Sequence, residues 1–325
     1  MTTQWADPIV SRLADGHSFP LQKNITLGTG LQIGGDSFVV MAGPCAVETR
    51  ERLMAVADSV LAAGAGALRG GAFKPRTSPK SFQGLGAAGL RLLHEASQRT
   101  GLPVVTEVMD PRDVELVAAH AAILQVGSRN MQNFPLLREV GRQKKPVLLK
   151  RGAAATLEEL LHAADYILQE GNEDVILCER GVRGFDPATR YVLDLAAVPA
   201  LRQRTKLPIV VDPSHGTGEA SLVPAMAKAA LTAGADGLLI EVHSAPEQAL
   251  CDGKQALRPA DFANLMSELK RLVPLCGRRW ARSPATGKGG SAADSAAAGR
   301  SAVSHHQGAR GVPTIDSLDD EVIAP

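Results

Sequence analysis

A (β/α)8 barrel is the fold class this sequence predicts, and three observations predict it. Eight short apolar runs recur between residues 38 and 242. A helical stretch separates successive runs, so the chain reads as repeated βα units. Nearly every run ends in a charged or metal-ligating residue, and in such barrels functional side chains gather where the strands end. Eight units within about 236 residues match this architecture; an open doubly wound sheet, the runner-up, more usually holds about five or six strands.

The elements follow in order. Residues 1–36 form an N-terminal extension with one predicted hairpin, ITLGTGLQIGGDSFVV, whose alternation breaks at Gly34-Gly35-Asp36. The strands are read as FVVMAG (38–43), ALRGG (67–71), PVVTEV (103–108), AILQVG (122–127), PVLLK (146–150), DVILCE (174–179), PIVVD (208–212) and GLLIEV (237–242). Thr49–Ala63 carries apolar residues at 53, 56, 57, 60 and 61, a helical face. Thr156-Leu157-Glu158-Glu159 reads as a capping box opening a helix that ends near Gln169. The catalytic barrel is assigned to 37–276. Residues 277–325 are expected to be a disordered tail, because 23 of the 49 are Gly, Ser or Ala and bury too little apolar surface to offset chain entropy.

Composition narrows the function. The chain has 325 residues with a formal net charge of +1, which argues against a nucleic-acid binder or a membrane-surface protein. No apolar run approaches the ~18 residues of a membrane span, and the start MTTQWADPIV lacks a secretory leader. Four cysteines, at 45, 178, 251 and 276, make no disulfide framework, so a cytoplasmic location is expected. Aromatic residues are only 3%, so the core must be aliphatic and alanine-rich.

The strand ends hold the unusual residues. Strand 1 leads to Cys45, and strand 2 to Arg69, Lys74 and Arg76. Strand 3 carries Glu107, strand 4 leads to Ser128-Arg129, and strand 5 ends in Lys150-Arg151. Strand 6 is followed by Glu179-Arg180 and later Arg183; strand 7 gives Asp212 and His215; strand 8 gives Glu241 and, further on, Asp252. Taken singly, each such Arg or Lys is an ordinary solvated loop charge, and each Cys a small buried hydrophobe. His17, His94, His120, His162, His305 and His306 fall on helices or termini and carry no such signal, whereas His243 sits beside Glu241. Collectively, six or seven converging cations would repel one another unless a polyanionic substrate neutralises them. Phosphate esters and carboxylates are the obvious ligands. In a closed barrel the first and last strands are neighbours, so Cys45, His215, Glu241 and Asp252 can meet. Their mixed donors suit Mn, Fe, Co or Zn better than Mg or Ca.

The segments MAGPCAVET (41–49), LRGGAFKPRTSPKSFQGLG (68–86), TEVMD (106–110), LQVGSRNMQN (124–133), KPVLLKRG (145–152), CERGVRGFD (178–186), VDPSHGTG (211–218) and IEVHSAPEQALCDGKQAL (240–257) resemble the metal-dependent 3-deoxy-7-phosphoheptulonate synthases, in the type I beta branch grouped with the 3-deoxy-octulosonate 8-phosphate synthases. The resemblance covers roughly residues 25–273, with eight matches in order, each at a strand end. It implies condensation of phosphoenolpyruvate with erythrose 4-phosphate, the first step of the shikimate pathway to aromatic amino acids. It implies metal ligation by Cys45, His215, Glu241 and Asp252, with one divalent ion (Mn, Fe, Co or Zn) as cofactor. Phosphoenolpyruvate binding falls on Arg69, Lys74, Glu107, Ser128, Arg129, Lys150 and Arg180, with Gly127 beside them. Arg76, Thr77 and Pro75 fall in the erythrose 4-phosphate grip, and Lys74, Cys45, His215 and Asp212 in the catalytic set. A homo-oligomer, dimer or tetramer, is expected, with no nucleic-acid or membrane partner.

Two departures stand out against the family pattern. Cys251 precedes Asp252 where Ser is expected, which puts a second thiol near the metal pocket, and His243-Ser244-Ala245-Pro246 replaces a His-Pro turn. The rival within the superfamily, the octulosonate 8-phosphate synthase using arabinose 5-phosphate, shows a KANRS stretch where this chain reads Lys74-Pro75-Arg76-Thr77-Ser78. Two other readings are a Schiff-base aldolase using Lys150 and a non-catalytic sugar-phosphate sensor; the sensor has no use for four metal-type ligands. No domain for binding an aromatic amino acid is legible, so inhibition by phenylalanine, tyrosine or tryptophan is not expected.

Overall fold

The computed structural model describes residues 22–281. Residues 1–21 and most of the expected tail, 282–325, lie outside the described residues. The chain opens with a two-stranded antiparallel hairpin, β1 (Asn24–Thr26) and β2 (Gln32–Gly34). The predicted Gly34-Gly35-Asp36 turn is present, but it leads from β2 into β3 (Ser37–Gly43); a separate turn over Leu27–Leu31 closes β1 on β2. The remaining barrel strands are β4 (Ala67–Arg69), β5 (Val104–Val108), β6 (Ile123–Val126), β7 (Val147–Lys150), β8 (Val175–Glu179), β9 (Ile209–Val211) and β10 (Gly237–Glu241). Each pairs in parallel with the next, and β10 pairs with β3. That last pairing closes the barrel and excludes the open sheet, which would leave two edges.

Strand parity sorts the side chains into two cores. Val39 and Met41 of β3, Ala67, Val105, Ile123, Leu148, Ile176, Cys178, Val210 and Leu239 point inward as one cluster. Ile25, Leu27, Leu31 and Ile33 of the hairpin join it and plug the amino-terminal end of the barrel. Alternate residues, such as Phe38, Val40, Leu68, Val104, Leu124, Leu149, Leu177 and Ile240, face the helices.

The helices are α1 (Arg50–Ala63), α2 (Ala87–Thr100), α3 (Val114–Ala118), α4 (Phe134–Gly141), α5 (Leu157–Leu168), α6 (Ala197–Arg202), α7 (Pro213–Thr217), α8 (Val223–Thr232) and α9 (Pro259–Leu275). Two start where the sequence expects. Thr49 caps α1 through the Arg52 amide, and α1 buries Leu53, Val56, Ala57 and Val60. Thr156 and Glu159 form the reciprocal capping box of α5, which satisfies amides left free at a helix start. Among the described residues no helix is long and apolar enough to cross a membrane.

The ordered fold extends past the expected boundary at 276. Arg279–Trp280 (β11) pairs in parallel with β3, and the Trp280 ring lies 6.1 Å from Phe38. Composition averaged over the tail hides this tryptophan, whose ring area and strand pairing hold the segment.

Candidate active site

The mouth of the barrel follows from the same parity. Two residues beyond Ala67, Val105, Ile123, Leu148, Cys178, Val210 and Leu239 along the chain stand Arg69, Glu107, Gln125, Lys150, Arg180, Asp212 and Glu241. Period-two alternation therefore turns each of them toward the barrel axis, one layer above the apolar fill. Arg151 and Glu179 have the opposite parity. They pair with each other at 2.8 Å away from the mouth, and Arg151 also reaches Asp194 at 3.0 Å. The rim role read for Arg151 and Glu179 is thus replaced by a buried ion pair.

A cavity of about 560 Å3 opens above this layer. It is lined by Arg69, Lys74, Pro75, Arg76, Thr77, Glu107, Gly127, Ser128, Arg129, Lys150, Arg180, His215 and Asp252, all singled out from the sequence. Arg183, also read from the sequence, lines it too, together with Arg190, Tyr191 and Gln125. Eight Arg and Lys side chains thereby face one volume against two carboxylates, Glu107 and Asp252. Among the described residues, four buried atoms in this wall have no hydrogen-bond partner: Arg69 Nε, Arg76 Nη1, Arg180 Nη1 and Glu107 Oε1. Three are cationic donors, and buried donors without partners cost about 1–3 kcal/mol or more each. Anionic oxygens from a ligand satisfy them.

Beneath the cavity floor lie the metal-type residues. Cys45, His215 and Glu241 bring their donor atoms within 4.8 Å of one another, as do Cys45, Cys251 and Asp252. Cys45 Sγ is 3.1 Å from Asp252 Oδ2, and His215 Nε2 is 3.2 Å from Glu241 Oε1. The imidazole orientation is fixed from behind. Asp212 caps α7 by accepting the His215 amide at 2.9 Å, and its Oδ2 accepts His215 Nδ1 at 2.7 Å. With Nδ1 carrying the hydrogen, Nε2 turns its lone pair toward Glu241. Two acceptors facing each other in a buried site are suited to share a cation, and Arg69 Nη1 already donates to the same Glu241 Oε1 from the side at 3.2 Å. The arrangement of a carboxylate behind a ligating imidazole is also the usual one at metal sites. The donor set of one sulfur, one nitrogen and carboxylate oxygens fits a first-row divalent ion.

The protonation states follow from the neighbours. Burial would raise the Asp212 carboxyl, but His215 and Lys150, whose Nζ is 2.5 Å from Oδ2, hold it well below the usual range. Burial pushes the His215 imidazole down, against the pull of Asp212 and Glu241. Asp252 sits at about 2: burial opposes this, and His215, the Cys45 hydrogen bond and Arg190 outweigh it. The Cys45 thiol is pushed well up by its hydrogen bond with Cys251, by burial and by Glu241. Lys74, 3.0 Å from Cys45 Sγ, is raised because Cys45 and Glu107 outweigh its burial, so it stays a cation.

Several supporting residues escape a reading of the sequence. Gln125 donates to Glu107 at 3.2 Å, and Gln255 donates to Glu241 at 2.7 Å. Ser214 Oγ accepts the Glu241 amide at 3.0 Å. The Tyr191 ring stacks on the Arg180 guanidinium at 4.1 Å. Gln125 alone had a usable signal, its parity on β6. Gly127 is fixed by space, since a Cβ there would lie 2.0 Å from Glu107 Oε1.

Comparisons with known proteins identify the family of the chain. The family model described as DAHP synthetase I family matches residues 19–274. A phospho-2-dehydro-3-deoxyheptonate aldolase of Thermotoga maritima is 49% identical over 266 residues, covering 82% of this chain and 78% of that protein. A 2-dehydro-3-deoxyphosphooctonate aldolase of Geobacter sulfurreducens is 32% identical over 272 residues, covering 78% of this chain and 98% of that protein. The crystal structure of the Thermotoga maritima DAHP synthase superposes with a TM-score of 0.78 at 49% identity, over 80% of this chain and 76% of that one. A truncated form of the Thermotoga maritima 3-deoxy-D-arabino-heptulosonate 7-phosphate synthase gives 0.75 at 46% identity, over 80% and 95%. With the family model spanning the whole barrel and a relative at 49% identity sharing its fold, this chain belongs to the DAHP synthetase I family.

Proposed function

We propose that the chain condenses phosphoenolpyruvate with D-erythrose 4-phosphate and water to give 3-deoxy-D-arabino-heptulosonate 7-phosphate and phosphate. The observation that carries the reading is the cavity wall, where one buried guanidinium nitrogen each of Arg69, Arg76 and Arg180 lacks a hydrogen-bond partner, around a volume bounded by eight Arg and Lys side chains. Two substrates with about five negative charges between them match that field, and Arg binds phosphate and carboxylate through paired hydrogen bonds. The 49% identical relative is named for the heptonate product, and the Lys74-Pro75-Arg76-Thr77 stretch lines the cavity.

The residues divide the work as follows. Arg129, Lys150 and Arg180 hold the phosphate and carboxylate of phosphoenolpyruvate, with Arg69, Ser128 and Glu107 around the enol. Arg76 and Thr77, turned by Pro75, hold the sugar phosphate. Orienting two repelling anions supplies much of the rate. C3 of the enol attacks the aldehyde carbon, water adds at C2, and the hemiketal phosphate expels phosphate. Lys74, a cation beside the floor, moves a proton at the aldehyde oxygen. Asp212 fixes the His215 ring. Cys45, His215, Glu241 and Asp252 would hold a divalent ion, Mn, Fe, Co or Zn, which when bound supplies Lewis-acid chemistry at the aldehyde oxygen.

The test is phosphate release from phosphoenolpyruvate with erythrose 4-phosphate and with arabinose 5-phosphate in parallel, each with and without chelator. Release with the four-carbon sugar, stopped by chelator and restored by Mn2+, is expected. Preference for the five-carbon sugar overturns the substrate assignment, and full activity in chelator overturns the metal assignment.

A further inference from the structure

Cys45 belongs to two donor triads at once, one completed by His215 and Glu241 and one by Cys251 and Asp252. The second triad contains a thiol that the four-ligand set leaves aside. Cys251 is buried and packs with Cys45 and Ala46 in a small apolar cluster walled by Phe82.

The local backbone explains how two adjacent residues can serve one centre. On an extended strand, Cys251 and Asp252 would point to opposite faces. Asp252 instead has φ of +52°, the one non-glycine residue with positive φ among the described residues. A left-handed conformation at a non-glycine residue is costly, and it persists where surrounding structure enforces it. Gly253, next in the chain, lets the backbone pass close to the Pro246 carbonyl, where a Cβ would lie 2.1 Å from the oxygen. The turn brings the 251 thiol and the 252 carboxylate to the same side, against Cys45.

We propose that Cys251 is a second thiol ligand, so that Cys45, Cys251 and Asp252 form a thiol-rich binding site for thiophilic divalent ions such as Zn2+ and Cd2+, alongside the Cys45–His215–Glu241 set and sharing Cys45 with it. The proposal rests on reading the cavity floor as a metal centre. Two sulfurs on one tetrahedral zinc, at Zn–S of about 2.3 Å, stand about 3.8 Å apart. The donor atoms of this triad lie within 4.8 Å of one another, a spacing compatible with that separation. Ligand softness then sorts the ions: Zn2+ and Cd2+ gain from the second sulfur, whereas Mn2+ prefers the imidazole and carboxylate oxygens. Both ions need Cys45, so they compete.

The experiment is metal binding to the full chain, stripped of metal and kept reduced. Cd2+ is followed by its ultraviolet thiolate charge-transfer band, and Zn2+ and Mn2+ by competition against a chromophoric chelator. Wild type is compared with Cys251→Ser, Cys45→Ser and Cys276→Ser. With one sulfur in place of two, Cys251→Ser is expected to show about half the cadmium band. It is also expected to lose at least about tenfold in Zn2+ affinity, with Mn2+ affinity within about twofold of wild type. Cys276→Ser, at the end of α9, is expected to change none of these. Alkylation mapped by mass spectrometry gives a readout on the wild-type chain alone: Zn2+ is expected to shield both Cys45 and Cys251. A full cadmium band and wild-type Zn2+ affinity in Cys251→Ser, or shielding of Cys45 alone, overturns the second ligand and leaves the metal centre standing. If Cys45→Ser also binds every ion like wild type, the metal centre itself falls and this proposal with it.

Discussion

Glu48→Gln tests what holds the proposed metal ligands in register. The Glu48 side chain is buried, three residues past Cys45. Its Oε1 accepts the Leu250 amide at 2.6 Å, two residues before Asp252. Its Oε2 takes Arg52 at 2.7 Å and His243 Nε2 at 3.3 Å. His243 Nδ1 accepts the Ala245 amide at 3.1 Å, so the hydrogen sits on Nε2 and points at Glu48. Arg52 continues to Gln248 Oε1 at 2.7 Å. One carboxylate thus ties the segment after β3, with Cys45, to the segment after β10, with Cys251 and Asp252. A glutamine can still accept from Leu250, but its amide hydrogens then oppose the Arg52 and His243 donors. The Arg52 bond is part-exposed and contributes under about 1 kcal/mol. The His243 bond is buried and charge-assisted, at about 1.5–3 kcal/mol. A total loss of about 2–3 kcal/mol lowers Tm by roughly 5–10 °C in a domain of this size. Because the freed segment carries Asp252, affinity for Mn2+ should fall about 10- to 100-fold. Calorimetric melting and chelator competition measure the two effects. Wild-type Mn2+ affinity together with an unchanged Tm would refute the idea that Glu48 sets the spacing of the two segments.

Two further perturbations address the cavity. Asp212 has its pKa held below the usual carboxylate value, so its ionised form adds stability that is fully present above about pH 4 and drains away as pH falls further. Asp212→Asn should therefore flatten the acid limb of a urea-midpoint titration below about pH 4, while costing about 3–5 kcal/mol at neutral pH by leaving buried Lys150 without its partner; acid limbs that fall in parallel for the two proteins would contradict this. Gly127→Ala places a methyl 2.0 Å from Glu107 Oε1, so the carboxylate must move. The fold should survive with a loss of about 1–3 kcal/mol, while phosphate release slows about 100-fold through the misplaced group; near-wild-type turnover would show that the position of Glu107 is immaterial.

The parity of each strand was written in the sequence. Once Ala67, Val105, Ile123, Leu148, Val210 and Leu239 are taken as inward, Arg69, Glu107, Gln125, Lys150, Asp212 and Glu241 must also face inward, because a pleated strand repeats every two residues. The same arithmetic separates Lys150 from Arg151 and Arg180 from Glu179, which a reading by residue type alone places together on the rim. The capping box at Thr156 was legible for a related reason: its partner, Glu159, lies three residues away.

Contacts between distant segments were not legible. Nothing within a few residues of Glu48 announces Leu250 and His243, and nothing near Trp280 announces Phe38. Nor does a local pattern show that Asp252 turns left-handed and brings Cys251 against Cys45. Local periodicity determined the strands, their inward faces and the charge of the mouth. Closure of β10 on β3 decided which loops meet there, because joining the first and last strands makes neighbours of residues some 200 positions apart, whose pairing no short-range propensity encodes.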